Sequence, residues 1–430
     1  MKIIVFFLCL TLGVNFLSAQ DIERNVKERL TDYFGRYTAT AKISTPKLKS
    51  VDIDYERKTI AIHASESFAY QPFRPETVEA VYNQVKELLP GPVHYYRLTI
   101  FADGKPIEEL IPNIYRNKKK DKERMSLKTD YKGAAWVKNI SRPNEISRGL
   151  QDRHIAIWQS HGNYFKNDKN EWGWQRPRLF CTTEDLFTQS FVLPYVIPML
   201  ENAGAIVYTP RERNTQKNEI IVDNDTPNAS LYLEVGSKKA HWATAPIKGF
   251  AQKKAIYRDG ENPFTDGTCR FITTERKKKK KNKDQAFAEW VPTLPAKGEY
   301  AVYVSYRTLP NSVSDAKYLV FHNGGVTEFK VNQKIGGGTW VYLGTFEFDK
   351  GNNDYGMVVL SNESSEHGVV CADAVRFGGG MGNIARGGKI SGLPRYLEGA
   401  RYSAQWAGMP YEVYAGRKGE NDYADDINTR

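Results

Sequence analysis

The spacing of apolar residues first indicates a small domain that mixes helices and strands. An amphipathic helix pattern over residues 22–34 is followed by a short apolar strand at 59–63. A second helix pattern begins at Pro75, and another strand pattern occupies 94–100. The sequence therefore predicts a small α+β domain over residues 21–115.

From residue 151, an apolar strand, a helix and a second strand follow one another. The first strand is predicted at 154–158 and the second at 205–208. Between them, Thr182 is a candidate N-cap and Gly204 occupies the position that often ends a helix. A strand, a helix and a strand within about fifty residues form a βαβ unit, which requires parallel pairing with a right-handed crossover. Residues 151–235 are therefore expected to belong to an α/β domain.

The pattern changes at about residue 236 to short strands rich in Val, Tyr and Phe. The predicted strands are 298–308, 316–321, 327–331, 339–348, 355–360 and 368–377. Short strands at regular spacing predict an all-β sandwich, jelly-roll-like, over residues 236–377. Beyond the glycines at 378–380 the chain becomes helix-capable again. We therefore expect the α/β domain to resume over 378–430, with the sandwich inserted into it.

Two stretches are expected to lie outside the folded domains. Residues 1–20 combine Lys2, an apolar run and small residues before a possible cleavage point, which is typical of a signal peptide. An uncleaved anchor is the alternative, although no later run approaches the ~20 apolar residues of a membrane span. We expect a secreted or periplasmic, cell-envelope protein with no integral membrane segment after cleavage. Residues 116–150 are charged and poor in apolar residues, which indicates a basic linker.

The net charge of this 430-residue chain indicates its binding partners, and its cysteine content indicates how the fold is stabilised. Its formal net charge of +11 favours polyanions such as cell-wall polymers, acidic polysaccharide or anionic lipid, whereas nucleic acid is not an expected partner of an exported protein. Beyond the signal peptide the cysteines are Cys181, Cys269 and Cys371, with no Cys-x-x-Cys pair. The sequence therefore predicts no disulfide framework, and apolar burial must stabilise the fold.

One histidine and one glutamate fall where a parallel sheet collects its ligands. His161 follows the first strand of the βαβ unit, and Glu184 starts its helix, so both can reach the carboxyl edge of the sheet. Neutral imidazole and carboxylate both suit Zn²⁺, and a third ligand with a water would complete a catalytic site. A structural histidine with a helix-capping glutamate is the alternative.

The same region resembles a known enzyme family. WQSHGNY at 158–164 and TTEDLFTQSFVLPYVIPMLENAGAIVYTPRER at 182–213 resemble the zinc-dependent N-acetylmuramoyl-L-alanine amidases of type 3. The resemblance implies an amidase-like fold and hydrolysis of peptidoglycan. It implies that His161 and Glu184 are the first two Zn²⁺ ligands, with Asp185 as the alternative to Glu184. It also implies that Arg211 or Arg213 is the arginine that closes the second strand.

The chain departs from that family in its remaining site residues. The family needs a second ligand histidine after a later strand and a catalytic glutamate near the C-terminus. The histidines after His161 are His241, His322 and His367, all in the predicted sandwich. Glu398 and Glu412 match no motif. The catalytic residues are therefore unassigned, and either a degenerate site or a fragment of a longer amidase accounts for the pattern.

The predicted sandwich resembles a second family. GGGTWVYLGTFEFDKGNNDYGMVVLSN at 336–362 and VVCADAVRFGGG at 369–380 resemble the golvesin C-terminal or xanthan-lyase-associated β-domain. That resemblance implies carbohydrate binding. Three functions follow as hypotheses: a zinc amidase that hydrolyses or binds peptidoglycan, a non-catalytic cell-wall glycan-binding protein, and a protein related to polysaccharide (xanthan) lyases.

Overall fold

The computed structural model describes most of the chain in two compact units. The described residues are 18–37, 45–116, 120–121, 133–142, 146, 149–225, 230–237, 239–276, 284–353, 355–415 and 421–430. The units are Met1–Tyr131 and Lys132–Arg430, and each is described by itself. Most of the predicted signal peptide and much of the predicted linker lie outside the described residues. Within the described ranges, no helix has both the length and the apolar character needed to cross a bilayer.

The first unit packs two α-helices against a mixed sheet. Its elements are α1 (Ala19–Arg36), β1 (Leu48–Asp54), β2 (Thr59–Ala64), α2 (Pro75–Glu87), β3 (Arg97–Ala102) and β4 (Lys105–Pro106). The strand order is β1-β2-β3-β4, with β2 and β3 parallel and the other neighbours antiparallel. Helix α1 buries Ile22, Val26, Leu30 and Phe34, a stripe at four-residue spacing. The helix predicted over 22–34 is therefore confirmed.

The second unit is mostly β-structure with few helices. Its strands are β5 (Val137–Asn139), β6 (His154–Ala156), β7 (Asn163–Lys166), β8 (Glu171–Trp174), β9 (Arg178–Leu179), β10 (Thr182–Thr183), β11 (Ile206–Tyr208), β12 (Ile220–Val222), β13 (Leu231–Val235), β14 (Ala243–Gly249), β15 (Gly267–Thr273), β16 (Phe287–Val291), β17 (Gly298–Val304), β18 (Ala316–His322), β19 (Gly325–Val331), β20 (Val341–Phe348), β21 (Met357–Ser361), β22 (Val369–Ala372) and β23 (Val375–Phe377). Its helices are α3 (Glu184–Phe191), α4 (Ile197–Asn202), α5 (Ala400–Trp406), α6 (Tyr411–Tyr414) and α7 (Asp422–Thr429).

A β-sandwich forms the centre of this unit. One sheet has the order β13-β16-β21-β18-β19-β5, and the strands β12-β23-β17-β20 and β14-β15-β22 form two further sheets. Inward side chains from all three sheets share one apolar core, which includes Trp290, Tyr318, Phe348 and Phe377. Burial of these large side chains is the main stabilising contribution. The β-sandwich expected from the sequence is therefore present.

The strand predictions over 298–377 are confirmed, but the sandwich extends further than the sequence indicated. The last predicted strand divides into β22 and β23, and β14, β15 and β16 were not predicted individually. Three strands come from outside 236–377: β5 from the predicted linker, and β12 and β13 from the segment assigned to the α/β domain. β5 and β12 have three residues each, which is too short for a periodic pattern. Most residues of β13 are exposed.

The α/β part is correspondingly small. Strands β6 and β11 pair in parallel, with Ile155 opposite Val207, as the βαβ prediction required. In the described part of the chain no third strand joins them, and a wider α/β sheet of the amidase kind is not seen. The connecting helix begins at Glu184 with Thr183 as its N-cap, one residue after the predicted Thr182.

A π-turn interrupts that connecting helix. Pro194 and Pro198 carry no backbone N–H, so two of the usual helical hydrogen bonds cannot form. The chain adopts a π-helical segment, Val192–Val196, in which the Ile197 N–H bonds the Val192 carbonyl. The kink predicted from the prolines is realised as this wider turn.

The segment after the sandwich returns to the strands that precede it. The Tyr402 hydroxyl accepts a hydrogen bond from the Phe165 N–H on β7 at 2.8 Å and donates one to Asp422 at 2.8 Å. Asp422 also pairs with Arg386 at 2.7 Å. Helices α5 and α7 are thereby attached to the β7–β8 hairpin.

A buried carboxyl lies between the sandwich sheets. Asp373 accepts hydrogen bonds from the Phe250 N–H (3.0 Å) and the Ser305 hydroxyl (2.7 Å). Its main-chain carbonyl accepts the Trp290 indole N–H at 2.9 Å. Burial raises the pKa of Asp373 from 3.8 to about 7, although these hydrogen bonds favour the carboxylate. Between those two pH values the folded chain holds a proton that the unfolded chain has released.

We expect Asp373→Asn to flatten the pH dependence of stability. Because the folded state binds the extra proton, the Asp373 contribution to the free energy of unfolding falls as the pH rises from about 4 to about 7. In the parent protein this group lowers the free energy of unfolding by up to about 1.4 kcal/mol per pH unit over that range, and the variant should not show this decrease. Denaturant unfolding at about pH 5 and about pH 7.5 measures this, and an unchanged decline in the variant would contradict it.

Asp315→Asn is the matched control. Burial alone would raise the pKa of Asp315, but hydrogen bonds from Ser364 and Ser365 lower it below its ordinary value. Asp315 is therefore ionised in the folded and unfolded chain at both test pH values. Asp315→Asn should therefore lower the free energy of unfolding by a similar amount at both pH values.

Candidate functional site

His161 lies on the loop after β6, next to the end of α7. Its Nδ1 contacts the guanidinium of Arg430, and its ring meets Trp158 edge-on at 4.5 Å between centroids. Arg430 also lies 4.2 Å from the Trp158 ring centroid. Burial, reinforced by the charges of Arg430, Arg176 and Arg211, lowers the pKa of His161 to about 3. The imidazole is neutral at physiological pH, and the neighbouring arginines disfavour binding of a metal cation to it.

Glu184 and Asp185 point in different directions at the start of α3. The half-exposed Glu184 carboxylate lies 3.6 Å from Arg176 Nε. Asp185 is fully buried and accepts hydrogen bonds from the Gly162 N–H and the Arg176 N–H, both at 3.0 Å. One helical residue rotates the side chain by about 100°, so adjacent acids face different partners. Asp185, rather than Glu184, closes the loop that carries His161.

The arrangement does not fit a catalytic zinc site. Among the described residues, no group of three or more His, Cys, Asp or Glu side chains is placed to hold a metal ion. His161 and Glu184 each have an arginine partner, and Asp185 already accepts two main-chain N–H groups. A catalytic zinc needs three protein ligands and an open position. Zinc binding by His161 and Glu184 stays a prediction.

Arg211 organises the loops around His161. Its buried guanidinium donates hydrogen bonds to the main-chain carbonyls of Ser160 (2.8 Å), Tyr396 (2.7 Å) and Glu398 (2.8 Å). Gly162 adopts a φ of +98°, and a Cβ there would lie 2.8 Å from the Arg211 guanidinium. Through these main-chain carbonyl groups, Arg211 joins the loop after β6 to the segment that follows the sandwich in the sequence.

A cleft of about 410 Å³ lies on the other side of Arg211. The residues after β11, the edge of the sandwich and the C-terminal helices form its walls. Its lining combines aromatic rings with arginines: Trp136, Tyr208, Tyr303, Trp340, Tyr342, Trp406, Arg211, Arg213, Arg376 and Arg395. The cleft has the size and the mixed lining of a small-ligand site.

Carboxylates and rings hold three of the four cleft arginines in place. Arg376 bonds Glu212 at 2.8 Å and lies 3.9 Å from the Tyr303 ring centroid. The same arrangement recurs twice: Arg213 with Glu201 and Tyr342, and Arg395 with Glu219 and Trp406. Pairing offsets these positive charges, so the cleft presents aromatic faces and fixed hydrogen-bonding groups rather than a strong positive field.

Several of the rings remain open to a ligand. Trp136, Tyr208, Trp340 and Tyr342 are partly exposed. Trp136 stacks on Tyr208 with 5.1 Å between centroids. The indole nitrogen of Trp340 is buried and has no hydrogen-bond partner within the described residues, so only the ring face of Trp340 is open to the cleft. Flat aromatic faces beside hydrogen-bonding groups match the two surfaces of a sugar ring, its C–H face and its hydroxyl rim.

The cleft could not be identified from the sequence. Residues such as Trp136, Tyr208, Trp340 and Trp406 are far apart in the chain and converge only in the fold. Trp340 and Arg376 lie within the two golvesin-like segments, 336–362 and 369–380, so those segments did mark part of the site. Of the two arginines singled out by the amidase resemblance, both line the cleft.

Comparisons with known proteins identify one wall of the cleft. Residues 266–379 match the Golvesin C-terminal domain. A xanthan lyase from Bacillus sp. (strain GL1) is 38% identical over 90 residues, which are 20% of this chain and 10% of that protein. The match therefore spans about a tenth of that relative's length.

Two solved structures match part of the chain. A Paenibacillus xanthan lyase shares 24% identity with a TM-score of 0.27, covering 37% of this chain and 13% of that chain. A xylan-binding domain from CBM 22 shares 10% identity with a TM-score of 0.18, covering 41% of this chain and 97% of that domain. The golvesin-like β-domain expected from the sequence is confirmed by the family match, and it supplies Tyr303, Trp340, Tyr342 and Arg376 to the cleft.

Proposed function

We propose that the chain is an extracellular polysaccharide-binding protein and that the cleft beside Arg211 is its binding site. The observation that carries this proposal is the set of partly exposed rings held next to paired arginines. The family match supports it, because the golvesin-type domain forms one wall of that cleft.

The cleft suits a sugar because its groups are fixed before binding. Arg213 and Arg376 are each held by a carboxylate and by a ring, so little side-chain freedom is lost when a ligand arrives. Trp340 offers a partly exposed ring face. A sugar would stack on that face, while the Arg213 guanidinium, the least buried of the four in the cleft, binds its hydroxyl or carboxyl oxygens.

The net charge of the chain favours an acidic polymer. A formal charge of +11 raises the local concentration of polyanions, and the cleft then selects among them by shape. Attraction over the whole surface weakens with salt, whereas stacking and buried hydrogen bonds do not. Both cell-wall glycan and secreted acidic polysaccharide fit this chemistry.

Two more specific functions remain secondary. Zinc amidase activity on peptidoglycan is a prediction from His161 and Glu184, and the family match falls on residues 266–379, outside the segments that suggested it. Lyase activity belongs to a relative of which this chain matches about a tenth. Binding without catalysis is therefore the function we propose.

We expect Trp340→Ala to weaken polysaccharide binding about tenfold. Loss of one stacking ring removes about 1.5 kcal/mol, which corresponds to that factor. Affinity electrophoresis against xanthan, xylan and peptidoglycan measures it. Trp172→Ala is the matched control, because Trp172 is also partly exposed but lies on β8, outside the cleft lining. Retention by none of the polymers, or equal losses in both variants, would contradict the proposal.

We expect added Zn²⁺ not to produce amidase activity. Two candidate ligands, each beside an arginine, give a metal too little negative charge and too little geometric constraint. Release of stem peptides from peptidoglycan should stay at background, and His161→Ala should behave like the parent protein. Strong zinc-dependent release that His161→Ala abolishes would instead establish an amidase site.

A further inference from the structure

An apolar stripe runs along the exposed face of the helix that joins β6 to β11. Phe187, Phe191, Tyr195 and Met199 are 52%, 40%, 60% and 66% exposed. The Phe187 and Phe191 rings lie 5.7 Å apart. The other exposed positions between Glu184 and Asn202 are also uncharged. Contiguous apolar surface of this kind marks an interaction site.

The π-turn keeps this stripe in line with the helix axis. In an α-helix a step of four residues overshoots one turn by about 40°, so three steps would carry Met199 well away from Phe187. The π-helical segment Val192–Val196 takes more residues per turn and removes part of that overshoot. Pro194 and Pro198 favour the wider turn because neither donates a main-chain hydrogen bond.

The stripe is not needed to anchor the helix. The opposite face already packs into a core of its own, where Val192 and Ile197 are buried against Val207. Leu193 and Leu200 pack against the same cluster. The exposed rings are therefore additional to the packing of the βαβ unit.

We infer that a second copy of this chain covers the stripe, forming a two-fold symmetric dimer. The four positions are symmetric about residue 193: Phe191 and Tyr195 lie two residues from it, and Phe187 and Met199 lie six. Antiparallel packing of two copies places Phe191 against Tyr195 of the second copy and Phe187 against its Met199. Aromatic pairs and sulfur–aromatic contacts are both favourable, and the two helix dipoles oppose each other. Such self-complementarity is what a two-fold interface requires.

The size and charge of the stripe agree with this partner. Each of the four side chains exposes roughly 100 Å², so pairing with its immediate neighbours buries on the order of 1,000 Å² in total. That is near the lower limit for specific interfaces, so the expected dimer is weak and depends on protein concentration. The absence of charge argues against a polyanion, and a membrane-surface helix would carry Lys or Arg along its flanks.

Sedimentation velocity of the full chain from about 1 to about 100 μM tests the inference, with a monomer–dimer equilibrium expected. Phe191→Glu should weaken dimerisation at least tenfold, because it places a carboxylate against an apolar ring. Leu233→Glu is the control: Leu233 is 46% exposed on β13, away from the stripe, and its change should leave the dimer intact. Thermal unfolding confirms that the variants fold.

A double variant tests the antiparallel register. In Phe191→Glu/Tyr195→Arg, each new carboxylate faces a new guanidinium on the second copy, so dimerisation should be partly restored relative to Phe191→Glu alone. A parent chain that stays monomeric throughout the range overturns the inference, and so does a Phe191→Glu variant that dimerises like the parent. Binding of neutral vesicles by a monomeric chain would assign the stripe to a lipid surface instead.

Discussion

A buried guanidinium needs an acceptor in each direction, and Arg211 finds its acceptors in three separate parts of the chain. Ser160 lies on the loop after β6, Gln189 lies on α3, and Tyr396 and Glu398 follow the sandwich. Burial lowers the pKa of Arg211 to about 10, which still leaves it charged at neutral pH. Because an unpaired buried charge costs several kcal/mol, these segments cannot separate independently. The relative positions of these three segments therefore depend on one side chain.

The cleft is a consequence of the same constraint. Its walls come from segments before, within and after the sandwich, and Arg211 fixes the first to the last. Buried ion pairs also link the sandwich to the segment that follows it, because Glu219 bonds both Arg376 on β23 and Arg395. Arg211 and the Glu219 ion pairs hold these walls together, and a site fixed before binding loses little conformational freedom when the proposed ligand arrives.

The elements that depend on local sequence pattern could be predicted. The short strands β17 to β21 and the buried stripe of α1 each follow from residues close together in the chain, and the strand-helix-strand order predicted the parallel pairing of β6 with β11. Spacing alone could not decide between Glu184 and Asp185, because one residue of helix changes the partner completely. The cleft was out of reach for a different reason: its residues meet only through tertiary packing.

The strands that close the sandwich carry a consequence for how the protein can be divided. Strands β5, β12, β13 and β14 all precede residue 266, yet they cover the edges of β19, β23, β16 and β15. A fragment cut at the family boundaries would leave four rows of main-chain N–H and C=O groups unpaired, and such edges promote aggregation. The stretch of sequence that is shared among relatives is shorter than the stretch that must be synthesised together for the sheets to close.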